Sequence, residues 1–273
     1  MTKNVFIYSD EGTDKTGIAS IEENCRKKLE LPFSQIKSED ILDGVLQGKN
    51  IFVMPGGADL PYCKKLNGIG NEKIRKFIED GGFYIGICAG AYYACKRINF
   101  KGKDYNVSGD RELELFEGTA EGSLPFLTDG NYFSDSGTES KAMISLKFKE
   151  KLSEEYFYYH GGPVFIPDSI TNERYRVIAK YEDNTPAVIK GKIGKGNYLL
   201  SAVHFELEKE QYRKFVLEKA EIKDKDKEEE ICSHFTENYG NRIWDEIVKI
   251  IKQWNIKHKQ YAVCQLLRSW NIY

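Results

Sequence analysis

Residues 86–90 read Gly-Ile-Cys-Ala-Gly, with an apolar run, 83–87, leading into the cysteine and a helix-like stretch, 89–96, leaving it. Glycine two positions to either side lets the backbone turn tightly, so Cys88 is presented on a strand-to-helix turn like a nucleophile elbow. The N-terminus of the following helix carries partial positive charge and favours the thiolate, the reactive form of cysteine. A sulfur nucleophile also needs a proton shuttle. The histidines are His160, His204, His234 and His258, and His204 directly follows the strand-like run 198–203, with Glu206 two residues on. In an extended chain those two side chains share a face. The carboxylate would then hold the imidazole's tautomer and stabilise its cation. Pro55-Gly56-Gly57 closes another apolar run, 51–54. The unhindered N–H of Gly57, together with that of Ala89, forms a candidate oxyanion hole. Either motif alone arises readily by chance. Their succession at the ends of strands makes Cys88, His204 and Glu206 the candidate catalytic residues.

Such pieces converge only if the strands that carry them lie side by side. The first hundred residues alternate the strand-like runs 5–8, 51–54 and 83–87 with helical stretches through Leu29 and over 71–80, the latter closed by Gly81-Gly82. This alternation predicts parallel strands joined by right-handed crossovers, an open sheet with helices on both faces. Its ligand site would lie beyond the carboxyl ends of the strands. Between about 105 and 205, short runs rich in Tyr, Phe, Val and Ile are broken by Gly, Asn and Asp, which predicts β-hairpin insertions. Helical character returns in 209–220 and 242–254, where Ile243, Trp244, Ile247, Ile250 and Ile251 follow the helical period. The reading is a domain over 1–207 and a helical C-terminal extension over 208–273. The charge run 223–230 reads as a solvated face, and His234 and His258 as exposed tail residues.

The 273 residues are 41% hydrophobic, enough for one large core. Forty basic against 42 acidic side chains, a formal charge of −2, disfavour a nucleic-acid partner. No apolar run approaches the roughly 20 residues that span a bilayer. Six scattered cysteines without a C-x-x-C pair suit a reducing compartment, and the start is not that of a signal peptide. A cytoplasmic protein is expected. No residue cluster has metal-ligand spacing and no cofactor is called for. The expected partner is a small-molecule substrate, with the C-terminal helices available for another protein or for self-association.

The order of motifs resembles the class I glutamine amidotransferase-like superfamily, which implies a flavodoxin-like sheet, a Cys88-His204-Glu206 triad and an oxyanion hole at Gly57 and Ala89. Within it, Pro55-Gly56-Gly57-Ala58-Asp59-Leu60-Pro61-Tyr62, the stretch 81–92, Arg111-Glu112-Leu113 with Gly118, and 158–165 look like the N-terminal domain of eukaryotic-type biotin–protein ligases. In that pattern His160 is more often Asn. The resemblance covers about 4–207 and adds Asp59, Tyr62, Tyr92, Arg111 and His160 as candidate substrate-binding residues, with Asp59 and Arg111 equally able to form an ion pair. Amidotransferases carry Gln four residues after the nucleophile, where this chain has Tyr92. No G-R-G-R adenylate loop is present, so biotin transfer by this chain alone is not expected. Two main readings stand: a thiol hydrolase or amidotransferase-like enzyme acting on a small polar amide, and a metabolite-binding or regulatory module that keeps the elbow without turnover. A PfpI-like peptidase ranks below both, because Ala89 stands where that family has histidine.

Overall fold

The computed structural model describes residues 3–135, 137–149, 155–169 and 175–254. The three central runs are strands whose every residue is buried: β1 (Val5–Tyr8), β3 (Ile51–Met54) and β4 (Phe83–Ile87), with β2 (Phe33–Ile36) outside them. Strands without a polar alternation have both faces covered, as the sheet of an α/β protein must. The helices of this half are α1 (Lys15–Asn24), α2 (Ser38–Leu42), α3 (Asp59–Leu66), α4 (Ile69–Glu79) and α5 (Ala89–Tyr93). Asp14 caps α1 by accepting a hydrogen bond from Gly17 N.

Residues 95–122 form β5 (Cys95–Lys101), β6 (Asn106–Asp110) and β7 (Phe116–Gly122). There follow β8 (Ala142–Ser145), β9 (Lys147–Phe148), β10 (Tyr156–Tyr159), β11 (Val164–Pro167), β12 (Tyr175–Lys180), β13 (Pro186–Ile193) and β14 (Gly196–Ser201). The main sheet runs β2-β1-β3-β4-β14-β13-β12-β9. Its first five strands are mutually parallel, and β13, β12 and β9 extend it antiparallel. This is the flavodoxin-like order, with β14 as its fifth strand. A four-stranded sheet, β11-β7-β5-β6, and the pair β10-β8 are the insertions.

Two local expectations change. The helix after Cys88 stops at Tyr93 rather than running to 96, because Cys95 onward pairs with β7 and takes up a half-buried strand pattern. The last core strand stops at Ser201 rather than Val203, and Tyr158 then bridges His204.

The C-terminal extension packs directly on this body. It comprises α6 (Lys209–Phe215), α7 (Lys225–Ser233) and α8 (residues 241–254). On α8, Ile243, Trp244, Ile247, Ile250 and Trp254 are buried and Ile251 half-buried; Trp254 meets Phe83 edge-on and Trp244 meets Phe205. Tyr158, Tyr212, Phe235 and Tyr239 form a smaller aromatic cluster between α6, α7 and β10. His234 is half-buried against Tyr156 rather than exposed, while His258 lies outside the described residues.

The charge run 223–230 is also not uniformly solvated. Glu228 is 1% exposed and accepts hydrogen bonds from Thr138 Oγ1 at 2.8 Å, from Lys141 Nζ at 2.6 Å and from the Tyr212 hydroxyl. A carboxylate this deep is tolerable only because each oxygen is bonded and a cation lies beside it. Replacing Glu228 with Ala leaves Lys141 nearly buried and uncompensated, so Glu228→Ala is expected to cost about 3–5 kcal/mol. Urea unfolding followed by tryptophan fluorescence measures it, and a loss below about 1 kcal/mol would mean that water already screens this pair.

Candidate functional site

Parallel neighbours β3, β4 and β14 end at one edge of the sheet, and each delivers one part of the site. From β3 the chain enters Pro55-Gly56-Gly57. From β4 it turns at Cys88, whose backbone lies at φ 48°, ψ −106°, outside the ordinary range of an L-residue. The glycines of the motif are there for close approach: a Cβ on Gly86 would lie 2.5 Å from Gly90 O, and one on Gly90 2.1 Å from Met54 O. The turn is held by Cys88 N donating to Ser201 O at 2.9 Å, Gly90 N to Pro55 O at 3.1 Å and Ala91 N to Cys88 O at 2.9 Å.

From β14 comes His204. Its Nδ1 lies 2.8 Å from Glu206 Oε1, while the Cys88 thiol donates to His160 O at 3.7 Å. A Cβ on Gly56 would lie 2.7 Å from His204 Cε1 and 3.5 Å from Cys88 Cβ, so ring and thiol face each other across this glycine. Cys88 is 8% exposed, His204 7% and Glu206 fully buried. Burial opposes charge on His204. The Glu206 carboxylate and its bond to the ring, with Cys88 nearby, outweigh it and hold the imidazole well above its usual pKa.

The pairing of His204 with Glu206 does not come from a continued strand. The chain turns at 205–206, and several outside contacts fix the result. Asn24 Nδ2 donates to Glu206 O at 2.7 Å, His204 N to Tyr158 O at 3.0 Å, and the Tyr239 hydroxyl to His204 O. That hydroxyl also accepts from Tyr158 N at 2.9 Å. A residue of the extension thus positions the imidazole, which the sequence motifs did not signal.

Gly57 bridges Thr13, but the bridging bonds run from Asp14 N to Gly56 O and from Ala58 N to Gly12 O, outside the Gly57 amide. Ala89 is the first residue of α5, where N–H groups lack intrahelical acceptors. Both residues line the cavity beside Cys88.

Two cavity lobes meet at Cys88. One of about 310 Å³ is walled by Leu60, Tyr92, Ile98, Phe100, Val107 and Tyr105 among others. Its aromatic wall is continuous, with Phe100 in ring contact with Tyr92, Tyr105 and Phe133. This lobe is apolar. The other, about 410 Å³, is bordered by Thr13, Asp14, Thr16, Lys141, His204 and Tyr212 among others. Gly57, Ala58, Cys88, Phe133, Asp135 and His160 belong to both.

The remaining candidates divide. Asp59 lines the apolar lobe but is bound to Arg111, Nε to Oδ2 at 2.7 Å, and Arg111 itself lies behind the wall. The ion pair is therefore the arrangement present. Tyr92 lines the lobe and donates to Gly161 O at 3.0 Å. Tyr62 is fully buried and does not border either lobe; its hydroxyl donates to Gly56 O at 3.0 Å and so supports the Gly56-Gly57 loop. His160 lines both lobes, with Nε2 3.2 Å from Ser134 O and 3.1 Å from Ser140 Oγ and its ring against Phe133. Burial, with Lys141 and His204 nearby, pushes its pKa down to about 3, so it is neutral and serves as wall. Lys141, Asp14 and Phe100 border the site without any motif to announce them. They reach it from three separate folded segments.

Comparison with known proteins follows the same lines. The chain is 32% identical over 166 residues to the biotin–protein ligase of Schizosaccharomyces pombe, a match covering 59% of this chain and 26% of the ligase. It therefore spans about a quarter of that relative's length. It is 33% identical over 214 residues to an uncharacterised protein of Chlamydia muridarum, covering 75% of this chain and 80% of that one. In fold it is similar to a crystallographically determined glutamine amidotransferase, with TM-score 0.50 and 20% identity over 74% of this chain and 90% of that chain. The sequence model described as "Biotin-protein ligase, N terminal" matches residues 3–267, and the chain belongs to that family.

Proposed function

We propose that the chain is a thiol acyl-transfer enzyme, amide hydrolase or amidotransferase-like, in which Cys88, His204 and Glu206 act together on a small amide or related acyl compound. The observation that carries this reading is the arrangement itself: Cys88 and His204 facing each other across Gly56, and His204 bonded to Glu206, beside an open cavity. The Cys88 thiolate forms a bond to the acyl carbon, and the carbonyl electron pair moves onto oxygen, facing the N–H groups of Gly57 and Ala89. Collapse breaks the C–N bond while His204, through the ring nitrogen not bound to Glu206, protonates the departing amine. The now neutral His204 next takes a proton from water as the water oxygen attacks the thioester. The acid leaves, and sulfur keeps its electron pair. Glu206 steadies the imidazolium that gives up its proton in the first half of the cycle and is regenerated in the second.

A binding module without turnover is the second reading. It is favoured by Tyr92, whose hydroxyl is committed to Gly161 O at the position where amidotransferases place a glutamine-binding Gln. The two readings separate on turnover of an acylated Cys88.

Cys88 is expected to react with iodoacetamide near neutral pH well before the other described cysteines. Burial pushes Cys25 up to about 12 and Cys63 up to about 11, and also raises Cys95 and Cys232. Peptide mass mapping over time reads the order, and Cys25 or Cys63 reacting first would count against the nucleophile assignment. Cys88→Ala is expected to abolish covalent acylation, seen as loss of the adduct by intact-protein mass. Glu206→Gln removes the carboxylate that raises the His204 pKa. The alkaline limb of kcat/KM, where the imidazolium loses its proton, is then expected at lower pH. A limb that stays in place, or moves up, would separate Glu206 from the proton shuttle.

A further inference from the structure

Resting on the thiol acyl-transfer reading, we propose that the substrates are amides with an apolar acyl group, aliphatic or aryl-aliphatic, and a polar leaving amine. This excludes glutamine as the acyl donor. The position of the proton donor fixes which lobe takes which half of the substrate. Cys88 and Gly57 border both lobes, so the scissile carbonyl sits at the waist between them. His204 borders the larger, mixed lobe alone and Ala89 the apolar lobe alone. A general acid must reach the leaving nitrogen within hydrogen-bond distance. The amine therefore departs into the lobe that holds His204, Asp14 and Lys141, and the acyl chain occupies the opposite one.

That opposite lobe offers an acyl chain hydrocarbon and little else. Phe100, Ile98 and Val107 form its wall, while Leu60 and Tyr105, 52% and 42% exposed, carry the apolar surface out to its rim. Its deep charged group, Asp59, is neutralised by Arg111 at 2.7 Å, and Asp135 lies out at the solvent-exposed waist shared with the other lobe. The ammonium and carboxylate of a glutamine would enter this lobe without a matching pair, and unpaired charge in an apolar site is strongly disfavoured. An alkyl or phenylalkyl chain instead gains roughly 0.8 kcal/mol per methylene buried, about fourfold in affinity.

The test holds the leaving group constant and varies the acyl chain. The full-length chain is treated with p-nitrophenyl acetate, butyrate, hexanoate and phenylacetate, and separately with phenylacetyl and γ-glutamyl p-nitroanilides. Released nitrophenol or nitroaniline and the mass of any Cys88 adduct are read, with Cys88→Ala as the blank. The expected result is a Cys88-dependent second-order rate that rises about fourfold per methylene from acetate to hexanoate. The phenylacetyl anilide is cleaved at least tenfold faster than the γ-glutamyl one. Val107→Asp is expected to flatten the chain-length series, and so is Leu60→Asp, whose exposed position spares the fold. A flat or falling series with Cys88 still acylated, or preference for the γ-glutamyl anilide, overturns the assignment of the lobes and leaves the thiol chemistry standing. No adduct on Cys88 from any probe overturns the underlying reading, and this inference with it.

Discussion

Cys88 occupies a backbone conformation that L-residues avoid, and the site depends on the surroundings that keep it there. A residue at φ 48°, ψ −106° costs on the order of 1–3 kcal/mol. That strain persists because β14 and the end of β3 each hold the turn with a backbone hydrogen bond, and Ala91 N closes it onto Cys88 O. Two glycines let neighbouring backbone come within a distance no Cβ would permit. The same three strand ends carry the oxyanion candidate Gly57, the sulfur and the imidazole. Sheet order thus determines which groups meet, and a change in the succession β3-β4-β14 would separate them.

The imidazole is placed by a second set of forces, largely from outside the sheet. Glu206 fixes one ring nitrogen. The main chain around His204 is tied to Tyr158, Asn24 and Tyr239, residues from β10, α1 and the C-terminal extension. The extension also seals the core through Trp244 and Trp254 and supplies Glu228 as the counter-charge of Lys141 in the larger, mixed lobe. It is part of the site's wall as well as of its support.

Local signals in the chain are sufficient for the strand-to-helix turn at Cys88. Apolar runs ending in Gly or Cys identify β1, β3 and β4, and G-x-C-x-G needs only five residues to state its geometry. Residues whose role depends on distant neighbours were not legible in this way. The stretch after Ala89 has helix-forming residues up to Lys96, but Cys95 joins β7 because Phe116 offers it a backbone partner. Glu228 lies in a run of charges and differs from its neighbours only in facing Lys141, Thr138 and Tyr212. Tyr62 sits in a motif rich in cavity residues, yet the α3 helix turns its ring inward to the core and its hydroxyl onto backbone carbonyls. His204 and Glu206 meet although the chain between them is a turn rather than the expected extended segment. The short spacing brings the two groups together in either conformation.

The central claim is that sulfur, imidazole and carboxylate behave as one electrostatic unit. The nitrogen-15 NMR spectrum of His204 in the native chain at pH 7.5 tests it most directly. Both ring nitrogens are predicted to carry protons, since the Glu206 carboxylate bonded to Nδ1 shifts the ring toward its cation despite its burial. A neutral His204 at that pH, with one ring nitrogen unprotonated, would contradict the account.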